Sequence, residues 1–394
     1  MGHKDKGLRN YNPSIAAQDS KHGKAYLDKI KKLSPYERFL YTITERHRIH
    51  VERFPEEFVL DDDGDYACES TDPPWTEDPI MQTIFICNPY NRQNDRVSRW
   101  LLDHYILPNK DKKSVLLGTI YLRWYNYIPT MQKLIDLEVP QRLDKLKQGT
   151  KALQTSVDVL VADRDHGEQL FGGAYIIRPI VDGEKGARKV ESIAQLMQRM
   201  LEDEYLYDEL CGDDISPDGP YDFPQRKLLG LGSVTFDAKP GTMAYAFARL
   251  NTFSGMGKFY CYQFIGDLAH THILRDAPDW WTWSFVGPGT ARGLVRLSSP
   301  SGAARIHGDK ILPRMMKYSP GMADQLIELQ QQVNKDLGLK MTPKTKQQAM
   351  SGKEIRDMVP FSMLNLTNAL CEYDKYERAL YRERSIKRPY NGQG

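Results

Sequence analysis

GPGTARGL, Gly287 to Leu294, is the stretch on which the reading of this chain turns. Two glycines around a proline make a tight turn, and a helix-compatible run follows at once. A helix opened in this way aims unpaired backbone N–H groups and the positive end of its dipole at one spot, which suits a phosphate. Gly287, Pro288, Gly289 and Gly293 are therefore candidates for phosphate or DNA binding. Arg292 and Arg296 lie one turn apart on the same helix and add charge there. Just upstream, Trp280-Trp281-Thr282-Trp283 holds half of the chain's six tryptophans. Phosphate donors beside flat aromatic rings point to a nucleotide or a nucleic acid. A plain connecting turn ahead of core tryptophans is the alternative, and it stays open.

Working outward, 394 residues suffice for one large domain or two to three ordinary ones. Hydrophobic residues make up 40% and charged residues 27%, which fits a globular protein with a sizeable core. The 54 basic and 52 acidic residues nearly cancel, which argues against coating DNA by bulk charge and leaves only local patches. Five cysteines are scattered with no CxxC pair, which favours reduced thiols and excludes a zinc ribbon. No apolar run approaches the roughly 18 residues of a membrane span, so no membrane partner is expected. The lysine-rich N-terminus lacks the apolar segment of a secretory signal. The expected location is the cytoplasm.

Charge is uneven along the chain. The first 35 residues and the last stretch, with Arg378, Arg382, Arg384, Lys387 and Arg388, are basic. Two acidic segments, Glu56 to Asp78 and Glu202 to Asp222, read as solvated loops. The expected organisation is a basic arm with an acidic loop (1–79), a helical catalytic domain (80–320), and a helical extension with a basic tail (321–394).

Hydrophobic spacing predicts helices over Gln93–Leu107, from Ser114 toward Pro129, and over Val190–Leu210, Thr242–Leu250, Phe259–Leu274 and Ala323–Leu337. It also predicts one over Lys353–Tyr381, bent near Pro360. Strand signals are few: Thr83 to Cys87 and Ala174 to Ile180. The fold class is all-α, or α-rich with minor β.

Several constellations carry chemistry. On a helix, Arg92, Arg96 and Arg99 fall at i, i+4 and i+7 on one face, with Asp95 placed to orient Arg92. Such a stripe fits a multiply charged anion, and it equally fits a solvated helix face. Arg123 and Asn126 share a face of an aromatic-rich, otherwise apolar helix. A charge there needs a partner, either a carboxylate or a ligand anion. In GMGKFYCYQFIGD, Gly255 to Asp267, a glycine turn opens a helix with Gln263 and Asp267 one turn apart. A carboxylate on a half-apolar face can act as a base, or it can brace a neighbouring arginine. His270-Thr271-His272 is too short for a metal site without distant ligands. No phosphate-binding GxxxxGK[ST] loop, dinucleotide GxGxxG, HExxH or GxSxG is present.

Taken in order, NPYNRQNDRVSRWL (Asn88 to Leu101), the helix with Arg123 and Asn126, GGAYII (Gly172 to Ile177), GMGKF with Gln263 and Asp267, and GPGTARGL form a series. This series resembles the α-glutamyl/putrescinyl-thymine pyrophosphorylase clade, the amino acid:DNA transferases. Relatives of that clade include the helical domain associated with 5-hydroxymethyluracil DNA kinases. The resemblance covers roughly residues 80 to 300 and implies a helical domain distantly like helix-hairpin-helix DNA glycosylases. It also implies a phage setting and a substitution on DNA: an amino acid or polyamine displaces pyrophosphate from 5-(pyrophosphoryloxymethyl)uracil. Under that chemistry Arg92, Arg96, Arg123 and Arg292, with the Gly287 and Gly289 amides, would face the leaving group. Asp267, with Asp95 second, would take the proton, and Gln263 and Asn126 complete the catalytic set. Trp124, Trp280, Trp281 and Trp283 form the pool for stacking a flipped base. No resident cofactor is implied, although a divalent metal such as Mg is compatible with the chemistry. Two other classes remain: a glycosylase-like enzyme using Asp309, and a module that only binds modified DNA.

Overall fold

A computed structural model describes residues 18–53, 58–60, 66–68, 75–84, 91–172, 189–212, 239–298, 322–353 and 357–382. Its main helices are, in chain order, α1 (Lys21–Lys31), α2 (Pro35–Arg53), α3 (Arg96–Leu101), α4 (Val115–Tyr125), α5 (Ile128–Asp136), α6 (Leu146–Asp165) and α7 (Lys189–Glu202). There follow α8 (Leu206–Cys211), α9 (Met243–Leu250), α10 (Lys258–Leu268), α11 (Pro288–Leu297), α12 (Met322–Asp336), α13 (Pro343–Met350) and α14 (Met363–Leu380). The fold is all-α, with one antiparallel hairpin of β1 (Phe58–Leu60) and β2 (Tyr66–Cys68) among the described residues. None of the described helices is long and apolar enough to cross a membrane.

The chain divides into two units that interleave in sequence. The first takes Met1–Asp95, Val286–Leu339 and Ile355–Gln393; the second takes Arg96–Phe285 and Lys340–Glu354. The expected consecutive segments 1–79, 80–320 and 321–394 are thus cut differently. The C-terminal helix α14 is no extension. It packs with α2, α11 and α12 and forms the centre of the first unit.

That centre explains two glycines of the opening stretch. Gly289 and Gly293 lie one turn apart on α11 and face α14. A Cβ at Gly289 would fall on Cys371 Sγ, and one at Gly293 on the Leu370 carbonyl. Both glycines are required by close helix approach, and Gly293, inside the helix, has its N–H in the helical ladder and is no phosphate donor. Gly287 has open space around its Cα and is the extended N-cap of α11, with Pro288 in its first turn.

In the second unit α4 is buried along its whole length and packs against α7 and α10. It ends at Asn126, which takes the left-handed conformation with φ 45°. Trp124 stacks on Tyr260 with ring centroids 4.0 Å apart. Trp124, Trp280 and Trp283 are buried, so their rings belong to the core and are not available to a flipped base. Trp281 alone of that pool keeps partial exposure.

Several helix boundaries differ from those the sequence predicts. Gln93–Leu107 is not one helix: Arg92–Asn94 forms a short 3-10 turn, Asp95 is extended, and α3 begins at Arg96 before widening into a π-turn over Leu102–Ile106. Val190–Leu210 splits into α7 and α8, and the helix from Phe259 stops at Leu268. The Lys353–Tyr381 pattern becomes helical only after Ser362, whose hydroxyl accepts from the Asn365 amide. Thr83 lies in a helical turn, not a strand; Ala174–Ile180 lies outside the described residues. The acidic segment Glu56–Asp78 contains the hairpin, and Asp78 is buried instead of solvated.

Candidate functional site

In the first unit α11 and α14 meet at one buried carboxylate. Arg292 Nε donates to Asp374 Oδ2 and Arg296 Nε to Oδ1, each at 2.8 Å. Arg378 Nε lies 3.3 Å from the same Oδ2. Helical spacing sets this arrangement: Arg292 and Arg296 are one turn apart on α11, and Asp374 and Arg378 one turn apart on α14. Asp374 and Arg296 are buried, while the side chains of Arg292 and Arg378 remain 27% and 31% exposed. Both exposed arginines reach protein acceptors through Nε. Their terminal nitrogens carry no hydrogen bond to the described residues.

The neighbouring described carboxylates have partners of their own. Glu377 is taken by Arg38 at 2.7 Å, and Glu372 by Arg46 and Lys375. Burial pushes the Glu377 carboxyl up, against the pull of Arg38 and Arg296. Burial acts the same way on Glu372, but Lys375 and Arg46 outweigh it and hold that carboxyl below its usual range. Among the described residues Asp374 is thus the carboxylate shared by three guanidinium groups, two of which, Arg292 and Arg378, reach solvent.

The second unit holds the other constellation. Arg123 is fully buried and all of its guanidinium nitrogens are engaged. Nε donates to Asp267 Oδ2 at 2.6 Å, and Nη2 to Oδ1 at 2.8 Å and to Ser98 Oγ at 3.1 Å. Nη1 donates to Asn126 Oδ1 at 3.1 Å. The sequence called for a partner to Arg123, and that partner is the carboxylate of Asp267. Four of the five N–H groups of Arg123 are thus given to protein acceptors, two of them to Asp267. A carboxylate held at both oxygens and 1% exposed braces that arginine. Arg123 as an anion-facing cation and Asp267 as a poised base are the readings that this geometry corrects. Asn126 is an acceptor to Arg123, and Gln263 is half-buried one turn before Asp267.

The arginine stripe is likewise redrawn, because Asp95 breaks the helix that would have aligned it. Arg92 and Asp95 belong to the first unit, and Arg96 and Arg99 to the second. Arg92 is half-buried, and its backbone N–H donates to Asn365 Oδ1 at 3.1 Å. Arg96 is exposed, and Arg99 pairs with Asp103. His270 meets the Met350 carbonyl, and His272 lies between the Lys110 carbonyl and Tyr207. Asp309 and most of GGAYII lie outside the described residues.

Sequence reasoning missed Asp374 as the hub and Arg378 as the second exposed cation. The signal was present: an Asp and an Arg at i, i+4 on an amphipathic helix, read only as part of a basic tail.

Comparisons with known proteins bear on the same residues. The family described as "5-hmdU DNA kinase, helical domain" matches residues 34–212 and 233–385. A 5-hmdU DNA kinase of Bacillus phage SP10 is 24% identical over 233 residues, covering 56% of this chain and 31% of that relative. The chain therefore matches about a third of the length of that curated relative. No solved structure matches. The matched residues take in both units, including α11 and α14 with the Asp374 cluster and α4 and α10 with the Arg123 pair, and the chain belongs to the family of 5-hmdU DNA kinase helical domains.

Proposed function

We propose that this protein is a DNA-modifying transferase that displaces pyrophosphate from 5-(pyrophosphoryloxymethyl)uracil in DNA with an amino acid or polyamine. The observation that carries this reading is the Asp374 cluster, where Arg292 and Arg378 present terminal nitrogens with no hydrogen bond to the described residues. A departing pyrophosphate gathers negative charge, and fixed guanidinium groups aimed at it lower the barrier. The family relation gives the reading its substrate. The relative is named as a kinase of 5-hydroxymethyl-deoxyuridine in DNA, and phosphorylation of that hydroxymethyl group would prepare it as a leaving group.

In that step the amine lone pair attacks the exocyclic methylene carbon. The carbon–oxygen bond breaks, its electron pair leaves with pyrophosphate, and the attacking nitrogen loses a proton. With Asp267 committed to Arg123, Asp95 is the carboxylate of the original pair that retains exposure, and we assign it the proton.

The test is direct. The full chain is incubated with DNA carrying the pyrophosphorylated base and a mixture of amino acids and polyamines. The DNA is then digested to nucleosides for mass spectrometry, and free pyrophosphate is measured. A new nucleoside mass with stoichiometric pyrophosphate supports the reading. Abasic sites would instead mark a glycosylase, and tight binding without any product a recognition module.

A further inference from the structure

We infer that Arg378, with Arg292, forms a two-armed clamp for a diphosphate group, and that Asp374 is its positioning residue. This deepens the transferase reading and rests on it for the identity of the ligand. The clamp itself stands on geometry within one unit. Asp374 Oδ2 receives Arg292 Nε at 2.8 Å and has Arg378 Nε at 3.3 Å, so the two guanidinium groups share one oxygen. Each is fixed at its Nε end, which leaves the paired terminal N–H groups of both directed elsewhere. The buried Arg296 on Oδ1 completes the charge. The terminal nitrogens of Arg292 and Arg378 carry two positive charges with no hydrogen bond to the described residues, which suits a multiply charged ligand better than a singly charged one. Two planar forks beside each other match an anion with two sets of phosphate oxygens. The neighbouring carboxylates do not compete, because Glu377 is held by Arg38 and Glu372 by Arg46 and Lys375.

Inorganic pyrophosphate is the probe, titrated calorimetrically into the full chain, with unmodified duplex DNA as a parallel arm. Removing a charge-assisted contact of this kind costs about 1.5–3 kcal/mol, so Arg378→Ala should weaken pyrophosphate binding about ten- to hundredfold. Arg378→Lys, which keeps the charge without the fork, should recover only part of the loss. Lys147→Ala, at an exposed site on α6 in the other unit, should change nothing. Circular dichroism of each variant confirms that it is folded, and the exposure of Arg378 makes that the expected state. Pyrophosphate affinity unchanged in folded Arg378→Ala overturns the clamp. So does a loss seen with duplex DNA alone, which would assign Arg378 to the DNA backbone, or a wild-type chain that does not bind pyrophosphate saturably. Because the readout is binding, a chain that holds pyrophosphate through Arg378 yet makes no modified nucleoside refutes the transferase reading alone.

Discussion

Asp267→Asn separates a base from a brace. The substitution keeps the size of the side chain and removes its charge. Arg123 is then left as a cation with no exposure, retaining hydrogen bonds to Ser98 and Asn126 but losing the Asp267 charge. Breaking a buried pair by neutralising one partner costs about 3–5 kcal/mol. For a unit of roughly 200 residues this corresponds to a fall in Tm of about 6–20 °C, at 2–4 °C per kcal/mol. Thermal and urea unfolding followed by circular dichroism read this directly. The double variant Arg123→Met/Asp267→Leu, which removes both charges from the same apolar surroundings, should regain much of the loss. The reasoning is refuted if Asp267→Asn unfolds within about 1 °C of wild type while turnover drops by about two to four orders of magnitude and returns at high pH. That pattern belongs to a general base, and it would mean that the Arg123 pair opens when substrate binds.

Other outcomes follow from the packing and the buried charges. Gly293→Ala should destabilise the chain by about 1–3 kcal/mol, because its methyl group meets the Leu370 backbone, whereas Gly287→Ala, in open space and extended, should cost far less; urea midpoints of the two variants decide. Asp78 is buried without a cation and accepts from the Tyr41 and Tyr376 hydroxyls and the Ile80 and Met81 amides, and burial raises its pKa against those bonds. Between the ordinary carboxyl value of 3.8 and that raised value the folded chain holds a proton that the unfolded chain has released, so stability falls as pH rises through this window. Asp78→Asn should flatten that slope and be at least as stable as wild type at neutral pH, and a loss above about 2 kcal/mol there would contradict the assignment. Burial pushes the Cys261 thiol up to about 12, so a thiol reagent at neutral pH should label it only after unfolding, as mass spectrometry of labelled peptides can show.

What could be read from the sequence was mostly local. Gly287 sits one residue ahead of its helix, as its type suggests, and the helix expected from Thr242 starts at Met243 with Thr242 as its cap. The need for a partner at Arg123 was also legible, since a charge in an apolar helix must be met. Its identity was not, because Asp267 lies 144 residues away and only tertiary packing brings it close. The same holds for Arg292 and Asp374, 82 residues apart. Periodicity overran its limits where polar caps interrupt an amphipathic pattern without changing its hydrophobic phase, as at Asp95 and Ser362. Gly289 and Gly293 invite a ligand reading because backbone exposed to a phosphate and backbone pressed against a helix demand the same residue.

The interleaving of the two units sets a timetable for synthesis. Arg38 leaves the ribosome 339 residues ahead of Glu377, its partner on α14. At the usual pace of roughly 5–20 residues per second, that is a delay of about 17–70 s. During it, Phe39 and Ile43 on α2 have no α14 to cover them, while the whole of Arg96–Phe285 has already emerged. The nascent first unit is therefore a natural client for a holding chaperone, and a circular permutation that joins α14 directly ahead of α1 should shorten that dependence.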